Sequence, residues 1–383
     1  MQFLPFATKF IFSRGSLLLD KKFDFATEGL GEKHTYGLFE DAIRSKSARL
    51  GSDVFFAHMD PPTPKIAAKL VGLNAQFNQN LLHPDLSPFA TEVESQLINS
   101  LAPDFGMTCG HMCGGSTLGN LTALWRAREA GAVKVIASQD SHLSVAKSAH
   151  ILGMDYQPVP VTDDGRIQID SLDGLSTSAL VLTAGTTGRG AVDPLDDAPL
   201  ALWTHIDAAW AGPLVFTKHK ALLDGIQKAD SVAVSSHKWL YQPKDSALIF
   251  FKDPEAQEAI SFGGSYLAIP NVGVQGSRSA AAIPLMATLM AWGREGLAKR
   301  IEADMQNAQD LALRIKDESR MLLKQMPTTA VFNWQPKHGR TAETLERLRD
   351  VSSQTKINED LWARQVAANP KVDLDLCWQR LLS

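Results

Sequence analysis

Cysteine is scarce in this sequence, which limits the roles that it can have. Cys109, Cys113 and Cys377 are the only cysteines among 383 residues, too few for a disulfide framework. A reducing compartment is therefore expected. Cys109, His111 and Cys113 could alternatively form a metal site. No second ligand pair with zinc spacing accompanies them, which favours small buried residues and no metal.

Long apolar runs and dense basic runs are also missing. No stretch approaches the ~20 apolar residues needed to cross a bilayer. The N-terminal stretch MQFLPFATKFIFSRGSLLL is interrupted by Lys9 and Arg14 and lacks the cleavage site of a secretory signal. The formal net charge is −4, with no Lys/Arg cluster. Neither a nucleic acid nor a membrane is expected as a partner, and a cytoplasmic location is expected.

Four short apolar runs between residues 107 and 251 predict buried strands that each lead into a loop. They are GAVKVIASQ, SALVLTAGTT, LWTHIDAAW and SVAVSSHKW. Helical patterns such as NLTALWRAREA and VAKSAHILG lie between some of them. This alternation predicts an α/β fold with a mainly parallel sheet and helices on both faces. Ligands of such sheets bind beyond the carboxyl ends of the strands.

The chain is longer than one hydrophobic core usually serves, so we expect more than one domain. A long amphipathic stretch from 283 to 324 predicts a core-facing helix. TTAVFNWQP and WARQVAAN after it are typical of strands, and ETLERLRDVSSQ of a helix. We predict an N-terminal segment, 1–60, that packs in a dimer, a large domain, 61–294, and a small α+β domain, 295–383.

Two of the strand ends carry residues suited to a pyridine cofactor. Lys238 lies in SSHKW and Asp207 in HIDAA. Either side chain alone could simply face water. A carboxylate beside a pyridine nitrogen, however, favours the protonated ring, which then accepts electrons from a breaking bond at a substrate's Cα.

Three further segments add to this pattern. GHMCGGSTLGN, residues 110–120, precedes a helix, and its free N–H groups and hydroxyls suit a phosphate. A helix N-cap alone is the simpler interpretation. His142 could stack on a flat ring, and the hydroxyls of TAGTT, residues 183–187, could reach a phenolic oxygen or a carboxylate. Together the phosphate-binding segment, the aromatic His142, the acidic Asp207 and Lys238 favour pyridoxal phosphate (PLP).

The ordered motifs GGSTLGN, SQDSHLSVAKSAHILG, TAGTTGRGAVDPL, HIDAAWAG and SSHKWL resemble the group II PLP-dependent amino-acid decarboxylases. That family includes aromatic amino-acid, glutamate, diaminobutyrate and tyrosine/aspartate decarboxylases. The resemblance extends from about residue 58 to about residue 369. It implies the PLP-dependent aminotransferase type I fold, with a mainly parallel seven-stranded sheet, in a homodimer whose active site lies at the subunit interface.

The resemblance also implies roles for individual residues. Lys238 would hold the cofactor as a Schiff base, Asp207 would pair with its ring nitrogen, and His142 and Ala209 would cover the two ring faces. The remaining implied contacts are Ser116, Thr117, His237 and Ser235 to the phosphate, Thr187 to the ring oxygen or the substrate carboxylate, and Arg364 and His58 to the substrate.

One stretch departs from the family pattern. Several members carry a long mobile loop with a tyrosine that protonates the substrate carbanion, whereas FGGSYLAIPNVGVQGSR is short here, with Tyr266 as its only tyrosine. The Cα proton donor and the substrate amino acid are left open. Two alternatives to a decarboxylase also remain: a carbon–carbon lyase of the sphingosine-phosphate-lyase type, and a non-catalytic PLP-fold protein.

Overall fold

A computed structural model of the protein describes residues 27–383. The chain divides into two units, residues 1–49 and residues 50–383. The described part of the first unit contains helix α1 (Glu32–Lys46), which buries none of its residues. Three of its apolar side chains, Tyr36, Phe39 and Ile43, are exposed. The predicted dimer-packing segment is 1–60, and its residues 1–26, which include MQFLPFATKFIFSRGSLLL, lie outside the described residues.

The second unit contains two principal sheets and the other helices. Its helices are α2 (Lys65–Phe77), α3 (Pro88–Leu101), α4 (Ser116–Glu129), α5 (Leu143–Leu152), α6 (Glu255–Glu258), α7 (Ala282–Asp317), α8 (Thr341–Arg347) and α9 (Leu374–Leu382). The strands of the large sheet are β1 (Cys109–Cys113), β2 (Lys134–Ser138), β3 (Asp155–Val159), β4 (Ser178–Thr183), β5 (Trp203–Asp207), β6 (Ser231–Ser235) and β7 (Ala247–Phe251). The remaining strands are β8 (Ser261–Phe262), β9 (Asn271–Val272), β10 (Met321–Leu323), β11 (Val331–Pro336), β12 (Ser353–Ile357) and β13 (Asp360–Val366).

The large sheet has seven strands in the order β1-β7-β6-β5-β4-β2-β3. Strands β3, β2, β4, β5 and β6 pair in parallel, and β7 is antiparallel to both of its neighbours. Thr183 at the end of β4 is in register with Asp207 at the end of β5. The carboxyl ends of the central strands therefore meet at one edge, as the sequence predicts.

Continuous burial explains why the central strands form without an alternating pattern. Every residue of β4, β6 and β7 is buried, as in a parallel sheet that is covered on both faces. The predicted α/β fold of the type I class, with a mainly parallel seven-stranded sheet, is confirmed.

The two edge strands of the large sheet are protected from further strand pairing in different ways. Edge strand β3 contains Pro158, which has no N–H to offer a further strand. At the other edge, side chains accept hydrogen bonds from β1 and the residue after it: the Met112 N–H donates to Glu94 Oε1 at 3.2 Å, and the Gly114 N–H donates to Gln275 Oε1 at 2.6 Å.

The C-terminal part forms a four-stranded antiparallel sheet in the order β10-β11-β13-β12, together with α8 and α9. This is the small α+β layer that the sequence predicts. The amphipathic stretch 283–324 is helical only to Asp317, because Met321–Leu323 pairs with β11 instead. Helix α7 is also interrupted at Gly293, whose φ of 65° is outside the helical region.

The limits predicted for the domains, at 60/61 and 294/295, remain predictions. No helix in residues 27–383 combines the length and the hydrophobicity that a bilayer crossing requires. All three cysteines carry free thiols.

Candidate active site

Asp207 and Lys238 come from neighbouring strands of the large sheet. Asp207 is the last residue of β5, and Lys238 follows the end of adjacent β6 by three residues. Burial lowers the pKa of Lys238, and the negative charge of Asp207 opposes that shift. The two groups are thus within electrostatic reach of each other. A lowered pKa makes the lysine amine a better nucleophile near neutral pH.

The Asp207 carboxylate is buried and held by two hydrogen bonds. Its Oδ1 accepts from the backbone N–H of Ala209 at 3.1 Å, and its Oδ2 accepts from Nδ2 of Asn120 at 2.8 Å. Only 3% of Asp207 and 6% of Ala209 are exposed. These bonds restrict rotation of the carboxylate, while its other lone pairs remain available for a ring nitrogen.

His142 belongs to the same group of residues. It is the N-cap of α5, and its Nδ1 accepts from the Ser144 N–H at 3.2 Å. Burial lowers the pKa of His142, as does the positive charge of Lys238, while Asp207 opposes the shift. The imidazole is therefore neutral near pH 7. The structure brings His142, Asp207 and Lys238 together, as the motifs predict.

A set of polar residues that no motif indicated lies next to Asp207. The set comprises Asn120, Ser144 and His205, all buried. His205 Nε2 lies 3.0 Å from Asn120 Oδ1, and complete burial lowers the pKa of His205 to about 4. One signal was present: His205 and Asp207 are two residues apart on a strand, so their side chains share a face.

The start of α4 has the features that the sequence predicts for a phosphate site. The helix follows Gly115, whose φ is 129°, and has no side-chain N-cap, so its first N–H groups are unsatisfied within the helix. Ser116 and Thr117 occupy its first two positions. Ser116 Oγ lies 3.5 Å from Ser235 Oγ, which lies 3.2 Å from His237 Nε2.

Charge and space at this helix start also suit a phosphate. Burial lowers the pKa of His237 to about 4, the positive charges of Lys244 and Lys238 lower it further, and Asp60, the ion-pair partner of Lys244, opposes the shift. A Cβ added at Gly115 would meet only His237, at 3.9 Å. The residues fit the phosphate of PLP, because a helix N-terminus with unsatisfied N–H groups and neighbouring hydroxyls binds such an anion.

The residues assigned to the substrate form a second group. The guanidinium of Arg364, on β13, donates from Nη1 to the Thr187 backbone oxygen at 2.9 Å and from Nε to Ser353 Oγ at 2.9 Å. Partial burial lowers the pKa of His58, as does the positive charge of Arg364. Arg364 also lowers the pKa of Lys238, so this group borders the Asp207–Lys238 pair. Among the described residues, Arg364 Nη2 has no hydrogen bond.

Two other candidates lie elsewhere. Tyr266, between β8 and β9, is 71% exposed, and the structure does not place it in the buried group around Asp207. Cys109, His111 and Cys113 are on β1, and no cluster of metal-ligating side chains occurs in the part of the chain that the structure describes.

Residues 126–333, more than half of the chain, match the family model described as "Pyridoxal-dependent decarboxylase conserved domain". The L-2,4-diaminobutyrate decarboxylase of Rhizobium meliloti is 32% identical over 333 residues, which cover 76% of this chain and 66% of that protein. The aspartate 1-decarboxylase of Aliivibrio fischeri is 27% identical over 72% of this chain and 62% of its own length. The chain thus spans slightly less than two thirds of these two relatives.

Among solved structures, one similar fold is the glutamate decarboxylase domain of the diaminobutyrate-pyruvate transaminase and L-2,4-diaminobutyrate decarboxylase from Vibrio parahaemolyticus. Its TM-score is 0.82 at 21% identity, and the match covers 94% of this chain and 86% of that one. The sphingosine-1-phosphate lyase of Burkholderia pseudomallei has a TM-score of 0.80 at 19% identity, covering 94% of this chain and 92% of that one. At these identities the likeness concerns the fold alone.

Proposed function

Because the chain belongs to the pyridoxal-dependent decarboxylase family, whose cofactor is pyridoxal phosphate, we propose that it converts an L-amino acid to the corresponding amine and CO2. Lys238 binds the cofactor covalently through its Nζ. The observation that carries this proposal is the buried Asp207 carboxylate, held by Asn120 and Ala209 within electrostatic reach of Lys238.

When bound, PLP serves as a sink for the electrons that a breaking bond at the substrate's Cα releases. The negative charge of Asp207 keeps a proton on the pyridine nitrogen. His142 and Ala209 would cover the two faces of the ring. Ser116, Thr117, Ser235 and His237 hold the phosphate, with the unsatisfied N–H groups at the start of α4.

Arg364 and His58 bind the substrate in this proposal. The Nη1 and Nε bonds of Arg364 fix the plane of the guanidinium, which leaves Nη2 to donate to a carboxylate. Thr187, whose carbonyl holds Nη1, lies beside the same position. The protein then contributes mostly orientation, because it holds the substrate's carboxylate relative to the cofactor ring.

The substrate class is an α-amino acid with a short polar side chain. This choice rests on the relatives, a diaminobutyrate decarboxylase and an aspartate decarboxylase. L-2,4-diaminobutyrate and L-aspartate are therefore the first two amino acids to test.

We also propose that the protein is a homodimer. In the first unit, Tyr36, Phe39 and Ile43 are spaced three and four residues apart on α1, and between 51% and 68% of each is exposed. An apolar stripe of this spacing is typical of a helix that packs on a partner. Light scattering of the full chain at several concentrations measures the mass, and a monomer at all concentrations would contradict the proposal.

A panel of L-amino acids tests the activity. The PLP-loaded protein is incubated with each amino acid, and CO2 and amine are measured together. Release of both in equal amounts supports the decarboxylase. Aldehyde release from a phosphorylated sphingoid base, without CO2 from any amino acid, would favour the lyase. A purified protein that takes up no PLP and shows neither activity would favour the non-catalytic alternative.

A further inference from the structure

Asn120 lies at the centre of a continuous hydrogen-bond network behind the proposed cofactor site. It is on α4, one turn after Ser116, and 1% of it is exposed. Its Nδ2 donates to Asp207 Oδ2 at 2.8 Å and to Ser144 Oγ at 2.9 Å. Its Oδ1 lies 3.0 Å from His205 Nε2. Both amide hydrogens and the amide oxygen are thus engaged.

The Asp207 carboxylate at one end of the network determines which atom donates and which accepts in each hydrogen bond between it and His205. An ionised Asp207 only accepts, so the NH2 group of Asn120 must face it and the amide oxygen must face His205. His205 therefore carries its proton on Nε2. Its Nδ1, 2.9 Å from Ser231 Oγ, then accepts from that hydroxyl, which in turn accepts from Trp203 Nε1 at 3.0 Å.

The other branch of the network reaches His142. Ser144 Oγ accepts a hydrogen from Asn120, so its own hydrogen is free to point at His142 Nδ1, 2.8 Å away. The Ser144 backbone N–H donates to the same Nδ1. Two donors at Nδ1 leave the proton of a neutral His142 on Nε2. The Asn120 amide therefore orients the Asp207 carboxylate directly and the His142 ring through Ser144.

We propose that Asn120 is a positioning residue, which fixes the Asp207 carboxylate and the His142 ring relative to each other before the cofactor binds. The inference deepens the proposed function and rests on its cofactor assignment. Without Asn120, Asp207 would retain only the Ala209 N–H. At 3% exposure, little solvent is available to replace the lost bond.

Asn120→Ala tests the proposal against a matched control, Asn369→Ala. Asn369 is also buried and donates from Nδ2 to a backbone oxygen, that of Ser52, at 3.0 Å. Loss of a hydrogen bond to a charged group changes a binding constant by about ten- to hundredfold. We expect the Kd for PLP to rise by that factor in Asn120→Ala and to stay near the wild-type value in the control. With an active substrate, kcat should fall while KM changes by less than about threefold.

Three readouts need no turnover. The pH titration of the visible absorbance of bound PLP should shift in Asn120→Ala but not in the control, because the carboxylate at the ring nitrogen has moved. Nitrogen-15 spectra of the protein without cofactor should show His205 as the Nε2–H tautomer in the wild type and a mixture in Asn120→Ala. A double-mutant cycle on the Kd for PLP with Asp207→Asn should be strongly non-additive.

The proposal is overturned if Asn120→Ala matches Asn369→Ala in Kd and in pH titration, or if its effect adds to that of Asp207→Asn. Should Asn120→Ala not fold, Asn120→Ser, which keeps a polar group but is too short to replace both donors, decides by the same criteria. A wild-type protein that binds PLP but releases no CO2 would contradict the proposed decarboxylase activity without contradicting the proposed role of Asn120. The Kd, titration and tautomer measurements would still decide the role of Asn120.

Discussion

Trp239, the residue directly after Lys238, donates from Nε1 to Oδ2 of Asp304 at 3.1 Å. Asp304 is on α7 and fully buried, and the same oxygen accepts from the Tyr241 hydroxyl at 2.7 Å. The Trp239 ring also stacks on Trp210, with ring centroids 4.0 Å apart. The turn that carries the proposed cofactor lysine is therefore anchored to the core through the side chains of Trp239 and Tyr241.

Asp304 predicts a loss of stability as the pH rises. Burial raises its pKa from 3.8 to about 7, so the folded state binds this proton more tightly than the unfolded state does. The stabilisation is complete below pH 3.8 and is lost as the pH rises through about 7. Asparagine at this position does not titrate. We therefore expect the free energy of unfolding of Asp304→Asn, relative to that of the wild type, to increase by on the order of 2 kcal/mol between pH 5 and pH 8.

Urea unfolding of both proteins at several pH values measures this difference. Asp317→Asn, an exposed position at the end of the same helix, is the control and should follow the wild type. A constant difference between Asp304→Asn and wild type across the pH range would show that the buried carboxyl does not titrate in this way.

Lys238→Ala should abolish turnover, because the nucleophilic amine that binds the cofactor is gone. PLP can still bind through the α4 site, but it should wash out on gel filtration. Borohydride reduction of the wild type followed by peptide mass spectrometry should place the pyridoxyl adduct on the Lys238 peptide. Lys252→Ala, at an exposed lysine beyond β7, is the control. Full activity of Lys238→Ala would refute the assignment.

Asp207→Asn keeps the shape of the side chain and removes its charge. We expect kcat to fall by at least about a hundredfold, because a charge that stabilises the reacting state is lost, with little change in KM. Asp230→Asn is a matched control, since Asp230 precedes β6 at the opposite end of the sheet and accepts from the Thr204 N–H. Equal kcat values for the two variants would remove Asp207 from the reaction.

Ser116→Ala combined with Thr117→Ala should weaken PLP binding through its phosphate. The Kd for PLP should rise about tenfold or more, whereas the Kd for pyridoxal, which lacks the phosphate, should barely change. Ser171→Ala, on a surface turn, should change neither. A parallel loss of affinity for both forms would indicate that the α4 start contacts the ring rather than the phosphate.

Arg364→Lys should raise KM for the substrate by about tenfold or more without changing the absorbance of bound PLP. Lysine keeps the charge but cannot maintain the bonds to Thr187 and Ser353 while donating to a carboxylate. Arg320→Lys, an exposed arginine that pairs with Glu318, is the control. An unchanged KM in Arg364→Lys would place the substrate carboxylate elsewhere.

The fold was predictable where burial is continuous. Strands β4, SALVLT, and β6, SVAVS, consist of small and branched residues, so their existence follows from local sequence. The strand-end position of Asp207 followed from the same pattern. The end of α7 at Asp317 did not follow, because the pairing of Met321–Leu323 with β11 competes with helical periodicity and depends on tertiary contacts.

The site was predictable only in part, for a related physical reason. Motifs located Lys238, Asp207 and His142 one at a time. The bond from Asn120 to Asp207, however, joins positions 87 residues apart, and no local pattern encodes such a pairing. The break at Gly293 also depends on a backbone angle that composition does not specify. The surroundings of each motif therefore required the structure.

The protected edge strands of the large sheet limit how this protein can assemble. A strand from another molecule could not extend a regular ladder along β3, where Pro158 lacks a donor, nor along β1, where Glu94 and Gln275 already occupy two outward N–H groups. Self-association by edge-to-edge strand addition, a common route to aggregates, is thereby disfavoured. We therefore expect an oligomer of this protein to form without lengthening the large sheet.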